Sequence, residues 1–87
     1  KRVLSSFLIQ GQAQIMEVVA NSKMRLIGKP LKELDLPKEI LFVAIKRGDR
    51  VIIPNGETTI KLNDRLTIFT LLSGLSKVEK LMKTKNR

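Results

Sequence analysis

The sequence predicts an α+β fold: a small mixed or antiparallel sheet of four to five strands, one short internal helix and a C-terminal helix. Three observations predict it. Ile40–Leu72 reads as β-rich runs broken at Gly48-Asp49, Pro54-Asn55-Gly56 and Asn63-Asp64, groups that favour tight reversals. From Leu75 the spacing becomes helical, with Leu75, Val78, Leu81 and Met82 on one face. Between Pro30 and Pro37, Leu31 and Leu34 lie one helical turn apart.

Residues 1–12 (KRVLSSFLIQGQ) are expected to be a linker or arm from a preceding domain. Val3, Leu4, Phe7 and Leu8 have helical spacing, and Gly11 would end that turn. Residues 13–87 are expected to form the domain. Ala13–Ala20 is rich in β-favouring residues and predicts a strand closed by Asn21-Ser22. Pro30 suits the first turn of a helix over Pro30–Asp35, and Pro37 ends it because the residue before a proline avoids helical angles. Ile40–Arg47 and Arg50–Pro54 predict a hairpin about Gly48-Asp49. Thr58–Leu62 is expected to be extended, and Arg65–Leu72 is the last strand. Ser76 and Glu79 have capping-box spacing at the start of the last helix. Lys80, Lys83 and Lys85 sit late in it, where positive charge suits the helix dipole, and Lys85–Arg87 is expected to fray.

Composition removes several functions. The 87 residues include no cysteine and no histidine, so thiolate chemistry, a Ser–His triad and the commonest metal ligand are all excluded. The acidic residues show no metal-binding spacing, and no glycine pattern of a phosphate-binding loop occurs. Catalysis is not expected. The longest apolar run, Ile40–Ile45, is far shorter than the roughly 20 residues a membrane-spanning helix needs. A cytoplasmic location is expected.

The net charge is +9, from 17 basic and 8 acidic residues, which favours anionic partners. A small basic nucleic-acid-binding module is therefore the alternative function. The lack of tyrosine and tryptophan weighs against it, because stacking platforms are missing. Lys46, Arg47 and Arg50 flank a hairpin turn and are read as a solvated tip rather than an anion site. The lysines of the last helix are read in the same way, as a wet outer face.

The central strands carry an inference about partners. Leu41, Val43 and Ile45 alternate with Ile40, Phe42 and Ala44, and Leu66 and Ile68 alternate with Phe69 and Leu71. Strands apolar on both faces are covered on both faces. Two short helices cannot cover both, so a homodimer is predicted, with Ile40, Phe42, Phe69 and Leu71 contributing to its interface.

The motifs from Met24 to Thr70 together resemble the C-terminal subdomain of RCK proteins, regulators of potassium conductance, also called the TrkA C-terminal domain. The resemblance rests on Gly28-Lys29-Pro30-Leu31-Lys32-Glu33-Leu34-Asp35-Leu36-Pro37, on Val43–Gly48, on Ile52–Thr58 and on Asn63-Asp64-Arg65-Leu66. Asn63 stands where the family usually has glycine, and both residues accept a left-handed turn. The resemblance implies a dimerising α+β domain in a cytosolic regulator at the inner face of the membrane, working with a membrane-embedded cation transporter or channel subunit, most often for potassium uptake. It also implies a Rossmann-like domain upstream, which would hold NAD or ATP; no cofactor is assigned to this stretch. Some members bind cyclic di-AMP between two copies. Those members carry arginine and asparagine where this sequence has Pro37 and Lys38-Glu39, which disfavours that ligand here. For any ligand in a dimer crevice, the candidates are Leu36, Pro37, Ile40, Arg47 and Pro54.

Overall fold

Five strands form one antiparallel sheet in the order β1-β2-β5-β3-β4. The structure is a computed structural model and describes residues 3–21 and 24–83. The strands are β1 (Val3–Ile9), β2 (Ala13–Val19), β3 (Ile40–Arg47), β4 (Arg50–Ile52) and β5 (Arg65–Leu71), and helix α1 (Leu75–Leu81) follows.

The expected helical turn in the first residues is a strand. β1 pairs with β2 across a reversal in which Gln10 and Gly11 take left-handed φ values of 51° and 70°. Gly11 therefore marks a hairpin rather than a helix stop, and the ladder to β2 outweighs the helical spacing. Residues 3–9 are part of the sheet. Thr58–Leu62, expected to be extended, forms no strand; an isolated bridge between Pro30 and Thr59, backbone bonds from Gly28 and Leu31 and the buried Ile60 side chain tie it to the fold. Ile52 rather than Pro54 ends β4, since proline has no N–H for a ladder.

The internal helix is one 3-10 turn, Leu31–Glu33, with Pro30 still extended as its N-cap. Asp35, left-handed at φ 58°, reverses the chain before Pro37 is reached. The predicted capping box is also absent. Gly74 is the N-cap of α1 and no side chain caps it, which leaves Ser76 inside the helix. Gly74 is required there, because a Cβ would lie 2.7 Å from the Thr70 hydroxyl oxygen and 2.8 Å from the Glu39 Cβ. The predicted fraying of Lys85–Arg87 lies outside the described residues.

One sheet face carries the core. Val18 of β2, Ile40, Phe42 and Ile45 of β3, and Leu66 and Ile68 of β5 are buried on it. They pack with Val78 of α1, with Met82 just after it, and with Met24, Leu26, Leu31 and Ile60 from the irregular connections. Each fully buried aliphatic chain contributes roughly 1.5–3 kcal/mol.

A β-bulge decides which residues of β3 belong here. Phe42 opposes Ile68 and Ala44 opposes Thr67, so Val43 is the extra residue. The bulge returns Ile45 to the face of Ile40 and Phe42, whereas strict alternation placed it with Leu41 and Val43.

Candidate functional site

Two surfaces gather most of the ligand and interface residues predicted from sequence. The first is a crevice of about 260 Å³ over the start of β3, lined by Leu31, Lys32, Leu36, Ile40, Leu41, Phe42, Pro54, Asn55 and Gly56. The backbone stitches its two walls together. The Leu31 N–H donates to the Thr58 carbonyl and the Lys32 N–H to the Gly56 carbonyl, both at 2.9 Å. The Asn55 side-chain oxygen accepts the Glu57 N–H at 2.8 Å, which fixes the turn. Apolar side chains dominate, and the Lys32 ammonium at the rim is paired with Glu57 at 2.9 Å. Such a lining suits an apolar guest better than a highly charged one.

Of the five predicted ligand residues, Leu36, Ile40 and Pro54 meet in this crevice. Pro37 does not line it; its carbonyl accepts the Ile40 N–H at 3.1 Å and positions the start of β3. Arg47 lies elsewhere and is held by other partners. Its Nε and Nη2 bind the two carboxylate oxygens of Asp64 at 2.9 and 2.8 Å, and Nη2 also donates to the Thr59 carbonyl at 2.8 Å.

The Asp64 side chain is 1% exposed and accepts the Lys61 N–H as well. Burial works against its charge, but the hydrogen bonds from Arg47 and the Lys61 N–H prevail and hold the carboxyl below its ordinary range. Asp64 is thus a structural anchor. Its backbone carbonyl also accepts the Ala20 N–H at 2.8 Å, which fastens the end of β2.

The second surface is the sheet face away from α1. Phe7, Ile15, Phe69 and Leu41 are successive cross-strand partners, so they form one apolar row over four strands. Ile9, Ala13 and Leu71 form the adjacent row. Phe7 is 66% exposed, Leu41 61% and Leu71 44%. Continuous apolar patches of this kind are uncommon on surfaces that stay exposed to water.

The predicted interface residues divide between the two faces. Phe69 and Leu71 are on this open face, whereas Ile40 and Phe42 are 6% exposed in the protomer's own core. Phe7, Ile15 and Leu41 complete the patch and were missed. The pairing of β1 was hidden by its helical spacing, and the bulge obscured which face Leu41 shares.

Residues 15–83 match the TrkA-C domain. The chain belongs to the TrkA-C domain family. Of the curated relatives, a Trk system potassium uptake protein TrkA homolog of Archaeoglobus fulgidus is 43% identical over 75 residues, covering 86% of this chain and 17% of the relative. TrkA homolog 1 of Methanosarcina mazei is 41% identical, with 86% and 17% covered. A shorter TrkA homolog of Pyrococcus abyssi is 37% identical, with 84% and 33% covered. The chain therefore spans only a sixth to a third of these relatives' length.

A solved RCK domain with cda superposes with a TM-score of 0.66 at 20% identity, covering 79% of this chain and 97% of that one. This likeness supports the α+β fold. The TrkA-C match begins inside β2, so β1 lies outside it. Among the described residues, no helix is long and apolar enough to cross a membrane.

Proposed function

We propose that this TrkA-C domain is the regulatory, dimerising and ligand-sensing part of a cytosolic regulator of potassium transport. The observation that carries the reading is the TrkA-C match over residues 15–83, together with relatives named for potassium uptake. In this reading the domain acts by binding and pairing, without catalysis. Its place is the cytoplasm, at the inner face of the membrane beside a cation transporter. On this reading a Rossmann-like domain upstream would hold NAD or ATP.

The apolar row Phe7–Ile15–Phe69–Leu41 supports the homodimer, since a second copy would bury it. The crevice containing Leu36, Ile40 and Pro54 supports ligand sensing. Cyclic di-AMP remains a disfavoured guest, because Pro37 and Lys38-Glu39 replace the polar residues that the resemblance associates with it.

Light scattering at micromolar concentration tests the pairing. A dimer is expected, and Phe69→Asp should make it monomeric. A parent protein that is monomeric throughout would remove dimerisation from the proposal. Titration calorimetry with cyclic di-AMP should show no heat; a clear binding isotherm would reverse the ligand assignment. Co-purification of the full protein with a potassium transporter subunit tests the wider role, and its consistent absence would count against it.

A further inference from the structure

We propose that Lys46 and Arg65 form a notch for a phosphate-bearing anion, on the open sheet face and apart from the crevice. The fold creates this pair. In sequence, Lys46 groups with Arg47 and Arg50 about the Gly48-Asp49 turn. In the sheet, Arg47 turns to the other face and is taken up by Asp64. Lys46 instead stands directly opposite Arg65 across β3 and β5.

Like charges placed face to face across two strands repel, and both side chains are exposed. Among the described residues neither has a hydrogen bond or ion pair. Asp64, Glu39 and Glu57 are committed to Arg47, Lys77 and Lys32. Asp49 projects from the exposed turn next to Gly48 without pairing to either cation, and Glu17 opposes Thr67, two residues along β5 from Arg65.

The space beside the pair is open. Gly48, just after β3, and Asn63, just before β5, take left-handed φ values of 62° and 72°, and a Cβ at Gly48 would meet nothing within 4 Å. Lys46, Gly48, Asn63 and Arg65 together line a depression of about 340 Å³. A water molecule occupies about 30 Å³, so the depression has room for a phosphate or pyrophosphate group with its solvent. Two adjacent cations match a dianion better than a single carboxylate. The arginine offers a planar fork of donors and the lysine a point charge, the combination that suits phosphate oxygens.

The proposal does not depend on dimerisation. Two sources present this chemistry, a soluble phosphate ester and a lipid headgroup, and the test separates them. Pyrophosphate titrated into the isotope-labelled domain should shift the amides of Lys46–Gly48 and Asn63–Arg65 saturably. The double variant Lys46→Ala/Arg65→Ala should weaken binding about tenfold or more, whereas Lys29→Ala should not. The double variant loses a repulsion and should melt no lower than the parent; Lys46→Gln alone gives a milder reading of the same kind.

Co-sedimentation with phosphatidylglycerol vesicles, absent with phosphatidylcholine and lost in the double variant, would assign the phosphate to a headgroup. Saturable pyrophosphate binding without co-sedimentation would assign it to a soluble ester. Shifts scattered over every basic face without saturation, or a double variant that binds like the parent, would overturn the site.

Discussion

Asp64 shows how much one side chain can hold. It fastens Arg47 of β3, the Lys61 turn and, through its carbonyl, the end of β2. Removing one partner of a buried pair leaves the other uncompensated, so Asp64→Ala should destabilise the domain by about 3 kcal/mol, read from urea unfolding midpoints. The folded-state pKa of Asp64 is lowered, so its stabilisation is complete above the unfolded-state pKa and is lost as pH falls through the folded value. The midpoints should therefore hold from neutral pH to about pH 5 and fall below about pH 4, and Asp64→Asn should flatten that fall. Glu39, whose carboxyl is lowered chiefly by the hydrogen bond from Lys77, contributes in the same direction. Gly74→Ala is a second residue-scale test. The new methyl would strike the Thr70 hydroxyl and the root of the Glu39 side chain, and a loss of about 1–3 kcal/mol is expected in thermal melts.

At the scale of elements, legibility followed local chemistry. The hairpin at Gly48-Asp49, the strand Ile40–Arg47 and the helix from Leu75 were readable because turn residues and spacing agree there. β1 was not, since its pairing depends on β2, which no local signal in Val3–Ile9 announces. The bulge was equally hidden; an extra residue leaves the apolar run unbroken while shifting its facing. The crevice was partly legible because Leu36, Ile40 and Pro54 accompany turn motifs. Arg47 was misplaced because its true partner, Asp64, is distant in sequence. Deleting Val43 tests the bulge. With the extra residue gone, a regular β3 keeps Ile40, Phe42 and Ile45 on the core face in the same register, so unfolding should stay cooperative in circular-dichroism melts; loss of cooperativity would mean that Val43 is not the extra residue.

For the whole molecule, the division of the sheet is decisive. One face is closed by α1 and the connections, and the other presents an uncovered apolar row. If a second copy covers that row, Leu41→Asp should weaken association severely while leaving the monomer folded, because Leu41 is 61% exposed in the protomer. Sedimentation equilibrium alongside thermal melts would separate the two effects. Equal association by variant and parent would mean that the row is not the interface. The 3-10 turn at Leu31–Glu33 and the Pro54–Gly56 reversal lie over the same end of β3 that carries Leu41, so the protomer keeps its crevice and its open face close together.

Leu41 belongs to both places. It lines the crevice and it ends the row that runs from Phe7. A guest and a neighbouring subunit would thus draw on a single shared side chain, and thermodynamic reciprocity would require each to alter the other's affinity by the same factor. Sensing and assembly would then be one equilibrium observed from two sides.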